Sequence, residues 1–72
     1  MKVKIYWTGF VPVTDDFGSH IYDVFIDGRT AMGPWALMTP TSWANHGVRR
    51  LGTGNGQRYK KQPDGRWLKV EG

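Results

Sequence analysis

The chain alternates apolar and polar positions at its start. Lys2-Val3-Lys4-Ile5-Tyr6-Trp7 repeats with period two, which predicts a strand with Val3, Ile5 and Trp7 on one face. Residues 8–19 hold Gly9, Pro12, Asp15, Asp16 and Gly18, residue types that favour turns, so a long loop is expected there. A second strand is predicted over His20–Asp27, with Tyr22, Val24 and Ile26 on one face and Asp23, Phe25 and Asp27 on the other. Asp27-Gly28-Arg29-Thr30 then reads as a hairpin turn. A third strand follows through Trp35-Ala36-Leu37-Met38, and Pro34 puts it at an edge because proline cannot donate to a ladder.

Thr39 to Gly47 outlines a two-turn helix. Thr39 is an N-cap whose hydroxyl can accept an N–H left free in the first turn. Pro40 at the first helical position has its φ already set. Met38 and Trp43 occupy the positions of a hydrophobic staple, and Gly47 is expected to end the helix in the left-handed conformation. Leu51 to Gly56 has too many glycines for an element interior and is expected to be a flexible or backbone-exposing loop. Gln57–Lys61 and Trp67–Val70 are the arms of a last hairpin, turned by Gln62-Pro63-Asp64-Gly65. The expected class is α+β: a small antiparallel sheet of four to five strands with one short helix, in the order β-β-β-α-β-β.

One two-turn helix covers only one face of such a sheet. Val3, Ile5, Trp7, Val24, Ile26, Leu68 and Val70 are apolar enough to be the core face. The opposite face then carries Lys2, Lys4, Tyr6, Phe25, Trp67 and Lys69. Two outcomes are open for it: an exposed aromatic and cationic contact surface, or a second small core under the loop 8–19.

The chain has 72 residues, which allows one domain, residues 1–72, burying about 60% of its unfolded surface. It has no cysteine, which excludes a disulfide or thiolate-held zinc. No apolar run approaches membrane-spanning length and no leader pattern opens the chain, so a cytoplasmic protein is expected. The net charge is +4 and unevenly spread. Residues 1–36 carry three Lys and Arg against four Asp, a balance of −1; residues 37–72 carry seven against two acidic residues, a balance of +5. A basic half attracts polyanions or acidic partners, although ordinary solvated charge gives the same arithmetic.

Catalytic chemistry finds little support in the residues. His20 and His46 stand alone without zinc-site spacing. Asp15-Asp16 falls short of a calcium loop and reads as a solvated turn. No serine lies in a nucleophile elbow, and Gly52-x-Gly54-x-Gly56 precedes a strand where a phosphate loop needs a helix N-terminus. Neither catalytic residue, metal nor cofactor is therefore expected. Binding is the better class: Arg58, Lys60, Lys61 and Lys69 are the charges expected to face RNA or another polyanion. Tyr6 and Trp67 are the expected aromatic anchors of a protein interface.

The stretch Leu51-Gly52-Thr53-Gly54-Asn55-Gly56-Gln57-Arg58-Tyr59 resembles the C-terminal half of small proteins encoded by tailed bacteriophages, as does Asp64-Gly65-Arg66-Trp67-Leu68-Lys69-Val70-Glu71-Gly72. Trp35-Ala36-Leu37-Met38-Thr39-Pro40 is similar to them too, and the likeness spans roughly residues 20–72. In size and architecture the chain resembles the RNA-polymerase-binding transcription inhibitor and antitermination protein of a Xanthomonas phage. That resemblance implies a host-takeover regulator acting on the β′ subunit in the host bacterial cytoplasm, inhibiting initiation and suppressing termination. A monomer is expected, with nascent RNA as a second contact through the basic half. The alternatives are an inhibitor of another host system, such as an anti-defence protein, or a small basic nucleic-acid-binding module.

Overall fold

The computed structural model describes residues 3–72. Four strands and one helix form in chain order: β1 (Val24–Arg29), β2 (Trp35–Met38), α1 (Pro40–His46), β3 (Gly56–Lys61) and β4 (Trp67–Glu71). All neighbours in the sheet are antiparallel, in the order β2-β1-β3-β4. The α+β class and the single short helix are as the sequence predicts.

Local chemistry explains the elements that form as expected. The Thr39 hydroxyl accepts from the Ser42 amide at 3.1 Å, Pro40 opens the helix, and Met38 and Trp43 share a core cluster, completing the staple. The β3–β4 turn closes with Gly65 N donating to Gln62 O at 2.9 Å and Gln62 N to Arg66 O at 2.7 Å. Gly65 takes φ 90°, the left-handed bulge position that this turn requires.

The departures have physical causes. Residues 27–30 make no hairpin turn: Asp27, Gly28 and Arg29 are strand, and the chain reverses over Thr30–Pro34, where Gly33 has φ 114°. Gly28 is glycine because Trp43 lies over it; a Cβ there would stand 2.7 Å from the indole ring. Gly47 ends the helix with φ −80°, not left-handed, and is excluded from bearing a side chain by the same indole. The predicted strand of residues 2–7 contributes only a single bridge, Tyr6 to Leu68 on the outer side of β4; Lys2 lies outside the described residues. The second strand starts at Val24 because His20 and Ile21 turn back to pair with Thr14 and Val13.

Two clusters of apolar side chains lie on opposite faces of the sheet. Beneath α1, Ile26, Met38 and Trp43 are buried with Ala36, Val48 and Leu51 around them. On the other face Phe25, Tyr59 and Ile21 are buried, with Trp7, Val11, Leu37 and Trp67 packed against them. Phe25 is the centre of this second cluster, with ring centroids of Trp7, Tyr59 and Trp67 at 5.3, 5.2 and 5.0 Å. Val11 and Ile21 come from the long loop and its return, so that segment covers the second face.

The sequence pattern placed Trp7 beside Val24 and Ile26; the structure puts it on the Phe25 face. Alternation fixes which residues of one strand share a face, but only cross-strand register relates one strand to the next. The Tyr6–Leu68 pairing sets that register, placing Tyr6 with Leu68 and Trp7 with Phe25.

Candidate interaction surface

The sheet is covered unevenly, and the uneven covering locates the surface open to a partner. At the β2 end much of both faces is covered, and the edge is met at Leu37. Helix α1 lies on one face, and the loop of residues 8–21 crosses the other. The edge of β2 is occupied by Asp16, whose amide donates to Leu37 O at 3.1 Å while its carboxylate accepts from Leu37 N at 2.8 Å.

Asp15 fixes this arrangement and is itself buried. One carboxylate oxygen accepts from the amides of Phe17 and Ser19, both at 2.9 Å, and the other from Thr39 N at 2.8 Å. Burial alone would push its pKa up. The hydrogen bonds from the Ser42 hydroxyl and the amides of Thr39, Ser19 and Phe17 outweigh that cost and hold Asp15 below its ordinary value. The solvated turn expected of Asp15-Asp16 is thus a structural clamp joining the loop to the helix start. Asp27, by contrast, is half-buried and pushed upward by desolvation. Burial of the Tyr59 hydroxyl, with the Asp27 charge adding to it, pushes Tyr59 above its ordinary pKa.

At the β4 end only one face is closed. Trp67 packs on Phe25 with the Lys61 ammonium 5.9 Å from its ring centre, so the proposed anchor Trp67 serves the core. Tyr6 lies on the opposite face beside Leu68, half-buried beneath the Arg66 guanidinium, which stacks 4.1 Å from its ring centre. Arg66 in turn donates to the Asp64 carboxylate at 2.8 Å. That backbone-and-side-chain pairing holds Asp64 below its ordinary pKa.

The predicted cations divide between the faces. Cross-strand register puts Arg58 with Ile26 and Lys60 with Val24 on the α1 face. Lys69 pairs with Tyr59 and Lys61 with Trp67 on the other. Arg58 makes an ion pair with Glu71 at 2.6 Å, exposed enough to contribute little to stability. Four charges on two faces cannot track one phosphate backbone together. The α1 face beyond the helix is what remains open: Tyr6, Val24, Lys60, Leu68 and Val70, with Arg58 and Arg66 at its margins. Lys60, Leu68 and Val70 border a shallow hollow there with Asp23 and Pro63.

The glycine loop is tied down. Gly52 N donates to Gly56 O at 2.8 Å and Gly56 N to Gly52 O at 3.0 Å. Arg29 donates to Asn55 Oδ1 at 3.0 Å and Gly54 O at 3.3 Å. The flexible or backbone-exposing loop expected over Leu51 to Gly56 is thus a short closed ring held by Arg29 of β1.

Sequence reasoning missed an apolar groove of about 440 Å³ lined by Phe17, Met32, Pro34, Trp35 and His46. His46 stacks on Phe17 at 4.1 Å. The apolar Met32 and Trp35 flanking a Gly-Pro turn were the available signal, since turns rarely need them. Among the described residues no group of three or more His, Cys, Asp or Glu side chains is placed to hold a metal ion, and no helix is long and apolar enough to cross a membrane. No family model, curated protein or solved structure matches the chain.

Proposed function

We propose that the protein is a non-catalytic phage regulator that binds host bacterial RNA polymerase at the β′ subunit, in the host cytoplasm, inhibiting initiation and suppressing termination. The partner comes from the resemblance of the sequence to phage regulators. The single structural observation supporting an interaction protein is the open half-face of Tyr6, Val24, Lys60, Leu68 and Val70. Helix α1 and the clamped loop cover much of the rest of the sheet, whereas here exposed Lys60 and Val70 adjoin half-buried Tyr6, Val24 and Leu68. Aliphatic residues with cations at the margin are the composition of a protein contact. Stacking of nucleobases has less support, because Arg66 already lies on the Tyr6 ring.

Affinity capture from a nuclease-treated bacterial lysate tests the reading. Recovery of β and β′ at near-stoichiometric levels is expected, with loss of both from a Lys60→Glu, Leu68→Glu double variant that still folds. Enrichment of a different host complex without polymerase would overturn it.

A further inference from the structure

The two edges of the sheet are treated differently. The β2 edge is occupied at Leu37 by Asp16, which bonds both its amide and its carbonyl. The opposite edge is the segment at Ile5–Trp7, which joins β4 through Lys69 N donating to Ile5 O at 2.7 Å and Trp7 N to Trp67 O at 2.9 Å. Those two bonds flank Tyr6 and make Tyr6–Leu68 a non-hydrogen-bonded pair. The amide and carbonyl of Tyr6 therefore point away from the sheet, and among the described residues neither has a hydrogen-bond partner. Bare strand edges are templates for another strand, and proteins usually blunt them.

Charge selects the occupant. Lys4 is exposed on this edge, and Lys69 lies on the strand beside it; neither has an ion pair among the described residues. The acidic side chains at this end, Asp64 and Glu71, are each engaged by an arginine. A second copy of this chain pairing antiparallel about Tyr6 would set Lys4 opposite Thr8, and residues 3–9 hold no carboxylate to meet that lysine. Beside the edge, a shallow hollow of about 330 Å³ has an aliphatic wall of Val3, Ile5 and Val70 and a charged one of Lys69 and Glu71.

We infer that the edge at Tyr6 accepts an extended, acidic polypeptide segment of the partner by β-strand addition, with main-chain bonds to Tyr6, carboxylates facing Lys4 on the Tyr6 face and the alternate side chains against Val3 and Ile5 on the other. Main-chain pairing supplies affinity in this mode, and alternate side chains supply specificity. The inference rests on the reading of the protein as an interaction module and names how it grips.

The test is an amide chemical-shift titration of the whole protein with a blocked synthetic peptide of alternating valine and glutamate. Shifts centred on the amides of residues 5–8 and on Lys69 are expected, weakening as salt rises. Tyr6→Pro removes the outward N–H and is expected to bind at least about tenfold more weakly, whereas Tyr6→Ala keeps the N–H and most of the affinity. If Tyr6→Pro does not fold, synthetic protein carrying N-methyl tyrosine at position 6 replaces it. Shifts centred on Met32–Trp35, no binding, or equal binding by Tyr6→Pro would overturn the inference. So would equal binding of a valine–lysine peptide, or a dimer in sedimentation that Tyr6→Pro abolishes. Polymerase captured equally by wild type and Tyr6→Pro would sink the edge mode alone. A wild type that binds the peptide but captures no polymerase would sink the partner alone.

Discussion

The β2 end and the β4 end of the same four-stranded sheet are built to different standards. At the β2 end a helix covers much of one face, a loop much of the other, and two adjacent aspartates meet the edge. At the β4 end one face is packed, the other is open, and the margin is held by two backbone hydrogen bonds. A 72-residue chain has little apolar surface to spare. This chain concentrates its covering at the β2 end and leaves part of the β4 end bare.

The comparison breaks first at Asp15. Asp15→Ala leaves the amides of Phe17, Ser19 and Thr39 without their acceptor inside the β2 end, and a loss of about 3 kcal/mol is expected in urea unfolding. Lys60→Glu, on the open face, is expected to change stability by less than about 0.5 kcal/mol in the same assay. Equal losses would mean that the two ends are not built differently.

Next in size is Gly47→Ala, which drives a methyl group into the Trp43 ring; about 1–3 kcal/mol should be lost by thermal unfolding. Trp43→Phe in the same background is expected to recover part of it, since a smaller ring leaves room.

Acid sharpens the contrast between two aspartates. Asp15 is held below its ordinary value of 3.8, so its stabilisation is present above that value and is lost as pH falls through the lower, folded value. Asp27 is raised, so it destabilises when ionised, and protonating it as pH falls toward 3.8 recovers stability. Stability is therefore expected to rise slightly on mild acidification and then to fall. Asp27→Asn should abolish the rise, and Asp15→Asn should lower stability at neutral pH and flatten the fall.

The smallest effect concerns local opening. Amide exchange in the free protein should be slow at Leu37 and Thr39, bonded to Asp16 and Asp15, and faster at Trp7 and Lys69 on the open margin.

What was legible in the chain was local. The N-cap, the proline at the helix start and the Met38–Trp43 staple lie within a few residues of each other, as do Gln62 to Gly65 in the turn. What escaped depended on distant partners. Gly28 looks like a turn residue until Trp43, fifteen positions on, is seen to lie across it. Asp15 looks solvated until Thr39, twenty-four positions away, donates to it. The candidate surface was half legible for the same reason. Composition singled out Tyr6 and Lys60, but only register separates them from Trp67, Lys61 and Lys69 on the other face. The Met32–Trp35 groove depends on Phe17 and His46 arriving from two other segments.

The most direct measurement is hydrogen exchange of the protein alone and bound to purified bacterial RNA polymerase. The account predicts new protection over residues 3–7, 58–61 and 67–71, with exchange at residues 30–36 unchanged. Protection confined to residues 30–36 and 45–46, or none anywhere, would contradict it.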